Sequence, residues 1–187
     1  MIEKLNVEII RSDRKTLSLE ITSDLKVRVR APRRCSERRI RRFISQRMDW
    51  IVKHLMQMAE KQEKLANVKP LTKEELDALV EKAMEVIPQK AANFASILHV
   101  TYNRITIRNQ QTRWGSCSAK GNLNFNCLLM LTPDEIVDYI VVHELCHRLE
   151  MNHSKRFWTL VASVIPDYKR REKWLKENGG LIMARNR

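Results

Sequence analysis

Residues 143–158, HELCHRLEMNHSKRFW, place three histidines and a glutamate within one short span. His143 and His147 are four apart, one turn of an α-helix, so their side chains leave the same face. Two imidazoles so placed can bind one zinc ion at about 2.0–2.1 Å each. Glu144 is rotated by roughly 100° from His143. It flanks such a metal rather than ligating it, where a carboxylate can take a proton from water. This is the HExxH logic of a metal-dependent hydrolase. The five letters also recur by chance, and satisfied core histidines are the competing explanation. Polar residues without partners are costly on an apolar helix, which favours a metal.

A catalytic site needs a third ligand. His153 follows His147 by six residues, the offset of the HExxHxxGxxH pattern. In that pattern a glycine turns the chain; here Glu150 holds its position, and Asn152, tolerant of left-handed conformations, is available for the bend. Glu172, on the last helical stretch, is the rival ligand. The plainest reading of Asn152-His153-Ser154 is a helix cap with His153 exposed. The spacing favours His153, leaving one position open for water. A structural site would close that position, and Cys117 is the residue to watch for it.

The elements that must position these residues can be sketched from periodicity. Thr132-Pro133-Asp134-Glu135 predicts a capping box with proline at the first helical position. The helix it opens, roughly 133–150, is apolar on most sides and so buried. A further helix starts at Ser154. Upstream, HVTYNRITIR and NLNFNCLLML (122–131) read as strands, with a turn at 119–122. Thr72 and Glu75 form another capping box, for a helix that Pro88 is expected to kink or divide. At the N-terminus, LNVEII, TLSLEI and LKVRVRA alternate as an antiparallel meander over residues 1–35. Segment 36–70 follows as one basic amphipathic helix, apolar at Ile40, Phe43, Ile44, Met48, Ile51, Val52 and Leu55, and a link ending at Pro70. The remainder, 71–187, holds the chemistry. The fold class is α+β.

At 187 residues the chain can bury one substantial core plus a small appended unit. The net charge is +13, and nine arginines with a single acid between Arg28 and Arg47 supply +8 of it. Such a patch attracts polyanions, nucleic acid included, or acidic proteins, or is simply a solvated helix face. The run shows no aromatic interleaving and matches no nucleic-acid motif. Four cysteines without a CxxC pair exclude a cysteine-cage zinc site and predict a reducing compartment. Cys117 and Cys127 could meet across a hairpin but read better as buried thiols. No secretory signal or membrane-length apolar run is visible, so a cytoplasmic protein without membrane contact is expected.

RWGSCS (113–118), NLNFNCLLML, DYIVVHELCHRLEMNHSKRFW and IPDYKRREKWL together resemble the YgjP-like metal-dependent peptidase family, which is similar to the SprT-like and WLM zinc proteases. The likeness extends to RSDRKTLSLEI and VRAP and so covers most of the chain. It implies a zincin-like domain over 71–187 preceded by a β extension, one zinc ion on His143, His147 and His153, and Glu144 as catalytic base and acid. In the zincin arrangement it implies, strand 122–131, with Asn124 and Asn126, borders the cleft and offers a free edge to an extended peptide. Arg113 and Tyr139 are candidates for stabilising the transition state, although Arg113 equally braces a loop and Tyr139 equally packs. Two other functions compete. One is metal-dependent pyrophosphohydrolysis of nucleoside triphosphates such as UTP, the arginine patch holding the phosphates. It is disfavoured by the lack of a P-loop and by histidine ligands. The other is a nucleic-acid-associated protein whose zinc site cleaves bound proteins or is only structural.

Overall fold

The computed structural model describes residues 5–186. The chain divides into two compact units, Met1–Asn67 and Val68–Arg187, so segment 36–67 belongs with the first sheet instead of standing apart. Residues 1–4 of the expected N-terminal meander lie outside the described residues.

In the first unit, β1 (Val7–Ser12), β2 (Ser18–Ile21) and β3 (Val27–Pro32) form a sheet in the order β1-β3-β2. β2 pairs antiparallel with β3, whereas β1 runs parallel to it, which corrects the meander. Alternation tells which face of a strand is buried but not which neighbours it takes. Val27, Val29 and Ala31 are fully buried on β3, the central strand. They pack with Ile40, Ile44 and Ile51 in a core of their own. The single helix expected over these isoleucines is two, α1 (Glu37–Ser45) and α2 (Met48–Ala66). Ser36 caps α1 by accepting from the Arg39 N–H, and the break falls at Arg47, whose φ of −119° leaves the helical region.

The second unit is built around α4 (Asp134–Cys146), which buries Ile136, Val137, Ile140, Val141, Val142 and Leu145. Before it come α3 (Lys73–Leu98), β4 (Arg104–Arg108), β5 (Gly115–Cys117), β6 (Asn122–Asn126) and a 3-10 helix over Cys127–Leu131. After it come α5 (Lys155–Val164) and α6 (Tyr168–Met183). Both bonds of the Thr72–Glu75 capping box are present, and α3 runs on through Pro88 undivided. His99 ends α3 in the left-handed region at φ 53°, so the strand starts at Arg104 instead of His99. Lys90 on α3 reaches Asp134 and Asp138 on α4 at 2.8 and 2.7 Å, tying the two helices together.

The sheet order is β4-β6-β5, with β4 parallel and β5 antiparallel to β6. It is therefore mixed, not antiparallel, and β6 is its central strand. The expected strand 122–131 stops at Asn126 because that side chain, fully buried, accepts from the Leu128 N–H and opens the 3-10 turn. The second capping box is also absent. The Thr132 hydroxyl donates to the Leu129 carbonyl at 2.7 Å, and Glu135 pairs with Arg170 of α6 at 2.8 Å. Tertiary partners thus outcompete the local cap. Among the described residues, no helix is long and apolar enough to cross a membrane, and all four cysteines are free thiols.

Candidate active site

α4 ends at Cys146 with His147 as its C-cap, so His143 lies in its last turn and the chain is outside a helix between His147 and Ser154. The Ser154 hydroxyl then accepts from the Phe157 N–H and starts α5. This reversal folds His153 back over α4. One ring nitrogen from each of His143, His147 and His153 lies within 4.8 Å of the other two, and Nε2 of His143 is 2.9 Å from Nε2 of His153. Phe157 forms the floor of the triad. It stacks on His147 with centroids 4.5 Å apart and meets His143 and His153 edge-on at 4.9 and 4.7 Å.

The bend that a glycine would make is made here with Glu150. His147 Nδ1–H donates to the Glu150 carbonyl at 3.1 Å, which leaves the Nε2 lone pair free for a ligand. His143 Nδ1 is buried without a partner. Burial holds His143 down at about 3, aided by the neighbouring rings of His147 and His153, and burial lowers His147 as well. Both shifts keep His143 and His147 neutral, the state in which an imidazole donates to a metal. Three nitrogen donors with one orienting carbonyl suit a borderline cation.

Glu144 is 6% exposed, and burial raises its carboxyl to about 8. Beside it stands Gly115 of the RWGSCS segment, a residue to which the linear sequence assigns no role. A Cβ built on Gly115 of β5 would lie 2.7 Å from both Cγ and Oε1 of Glu144. Gly115 is therefore the cradle of this carboxylate, and the signal was a glycine inside a strand.

A model of the YgjP-like metallopeptidase domain matches residues 15–79 and 69–178, most of the chain and both of its units. The chain belongs to the YgjP-like metallopeptidase family. It is a metal-dependent hydrolase. Two solved structures are similar to it, both metallopeptidase zymogens. One is abylysin of Pyrococcus abyssi, 22% identical over 49% of this chain and 94% of that one, with a TM-score of 0.45. The other is jannalysin of Methanocaldococcus jannaschii, 20% identical over 50% and 97%, also with a TM-score of 0.45. Among curated proteins, none matches.

The remaining candidates of this YgjP-like chain fall in different places. Glu172 pairs with Lys176 at 2.7 Å and stands outside the cluster of three histidines. Cys117 stands outside that cluster too; burial and then the charge of Glu144 raise its thiol. Tyr139 is buried, edge-on to His143 with centroids 6.0 Å apart. Burial, followed by the charge of Glu172, pushes its phenol above the ordinary range. Arg113 is exposed, and its carbonyl, with that of Gln110, accepts from Asn126 Nδ2. Asn126 thus ties down the loop before β5, and Asn124 bonds the Ser116 hydroxyl at 3.2 Å. Neither sits on a free edge, because β6 is paired on both sides. The free edge beside the site belongs to β5.

Proposed function

We propose that this metallopeptidase holds one zinc ion per chain on His143, His147 and His153 and cleaves peptide bonds with Glu144 as general base and then general acid. The observation that carries the proposal is the convergence of three imidazoles beside one buried carboxylate. Zinc, when bound, polarises the scissile carbonyl and acidifies water. Burial places the Glu144 carboxyl at about 8, close enough to neutral pH for it both to accept a proton and to return one. Glu144 takes the proton from the attacking water and delivers it to the departing amine. Glu150 keeps His147 in the donating tautomer, and Phe157 keeps the three rings in place.

Trp114 and Ser118 bond toward β6 through the Asn126 N–H···O Trp114 and Ser118 N–H···O Asn122 links. By antiparallel alternation, the N–H and C=O groups of Gly115 and Cys117 point to the free edge. A substrate strand laid there pairs through its backbone, which gives affinity with little demand on sequence. Free thiols at all four cysteines fit action in the cytoplasm.

The test is Glu144→Gln, assayed with a peptide library alongside metal analysis. Metal content is expected to stay near one per chain while hydrolysis drops by about 10²–10⁴-fold. Full activity in that variant would end the mechanism.

A further inference from the structure

The nine arginines between Arg28 and Arg47 separate into two sets. Arg28, Arg30 and Arg33 are neutralised by Glu8, Glu20 and Asp13. The other six have no ion pair among the described residues; three of them, Arg39, Arg42 and Arg47, stand with the likewise unpaired Lys15, and all four are exposed. Lys15, Arg39, Arg42 and Arg47 line a cavity of about 620 Å³ together with Leu17, Phe43 and Gln46. A second cavity, of about 560 Å³, shares Leu17, Phe43, Gln46 and Arg47 and extends to Trp50 and Asp49. The two form one continuous groove within the first unit, between segment 15–19 and the α1–α2 break.

The groove joins cations to flat rings, a combination invisible in the linear run. The Arg47 guanidinium lies 3.9 Å above the Phe43 ring centroid, a cation–π pair on an exposed arginine. Trp50 is 43% exposed and stacks on His54 with centroids 4.0 Å apart. Residues 1–67 carry 17 basic and 9 acidic side chains, a net charge of +8. Acidic peptides would satisfy the cations but leave the planar surfaces unused. A duplex keeps its base faces stacked inside. An unpaired strand presents phosphates and base faces together, and unlike a single nucleotide it is long enough to run along both cavities.

We infer that this groove binds single-stranded nucleic acid, with phosphates on Lys15, Arg39 and Arg42 and bases against the Arg47–Phe43 stack and Trp50. The proposal is independent of the zinc chemistry. Asp49 on the groove wall opposes binding.

Fluorescence anisotropy of the full-length protein with labelled dT12 and rU12 tests it. Binding is expected with a log–log salt slope of about −2 to −3, from three or four phosphate contacts at about 0.7 each. Tryptophan emission should be quenched on binding, and Trp50→Phe should remove most of that quenching. Arg42→Ala with Arg47→Ala should weaken binding at least 10-fold and leave peptide hydrolysis intact. Trp50→Ala should weaken it about 5- to 50-fold without changing the salt slope, whereas Asp49→Asn should bind at least as tightly. Circular dichroism checks that each variant folds, and Trp50→Phe, which keeps a ring, should retain most affinity. The proposal is overturned if neither oligonucleotide binds at 50 mM salt or if duplex of equal length binds as tightly. It also fails if polyglutamate displaces dT12 at equal charge concentration, which marks an acidic-polypeptide groove. Equal loss from Arg28→Ala with Arg30→Ala would reduce the effect to diffuse charge.

Discussion

Glu144 and His143 are neighbours whose burial shifts act in opposite directions. The folded protein favours the protonated Glu144, because its carboxyl is held at about 8 against an ordinary value of 4.5. That contribution is complete below about pH 4.5 and is lost as pH rises through 8. In chelated protein, Glu144→Gln should therefore match the wild type at pH 4.5 and exceed its stability at pH 9. The expected gain is on the order of 1–4 kcal/mol, read from urea denaturation. His143, held at about 3, behaves conversely: its neutral form stabilises the fold above about 6.5 and that stability is lost as pH falls toward 3. Of the ligand candidates, His153→Ala should weaken metal binding at least 100-fold in competition with a chromophoric chelator, whereas Glu172→Ala should change it less than threefold. Reversal of that order would move the third ligand to Glu172. The residues that could do chemistry were legible because helical spacing translates directly into shared faces. Gly115 was not, because its role exists only where β5 passes Glu144.

At the scale of elements, the site depends on a strand edge and a helix start. Gly115→Ala would drive a methyl group to 2.7 Å from the carboxylate. Hydrolysis is expected to fall about 10- to 100-fold with metal content unchanged, since a small misplacement of a catalytic group carries that penalty. Wild-type activity would show that Glu144 needs no cradle. Phe157, fully buried at the first turn of α5, supports all three rings. Phe157→Ala should lower stability by about 3–5 kcal/mol and also weaken metal binding; a stability loss with unchanged metal affinity would make the floor dispensable. The predicted helices existed where periodicity placed them, but their ends moved. Thr132 and Glu135 show why: a capping pattern is a local option, and the Leu129 carbonyl and Arg170 offered better partners once α6 had docked. Strand order was equally hidden, because side-chain alternation is the same for an edge and a central strand.

The whole molecule consists of two units, and every proposed zinc ligand and Glu144 lie in the second. Fragment 68–187 should fold cooperatively by calorimetry and bind one metal ion; a molten or metal-free fragment would show that the first unit is needed for the site. Adding metal should raise the melting temperature of both fragment and intact protein, since binding to the folded state alone stabilises it. What the sequence by itself determined was the chemistry and the class: two histidines one turn apart with an intervening glutamate, an α+β pattern, and a concentration of positive charge. These are local properties of spacing and composition, readable without neighbours. Only the tertiary structure decided that His153 folds back over α4, that Gly115 makes room for Glu144, and that β5 instead of β6 carries the open edge. It also separated paired arginines from free ones and set the latter beside Phe43 and Trp50. Each of those facts is a contact between segments distant in the chain, and such contacts are chosen by packing and partner competition across the folded core.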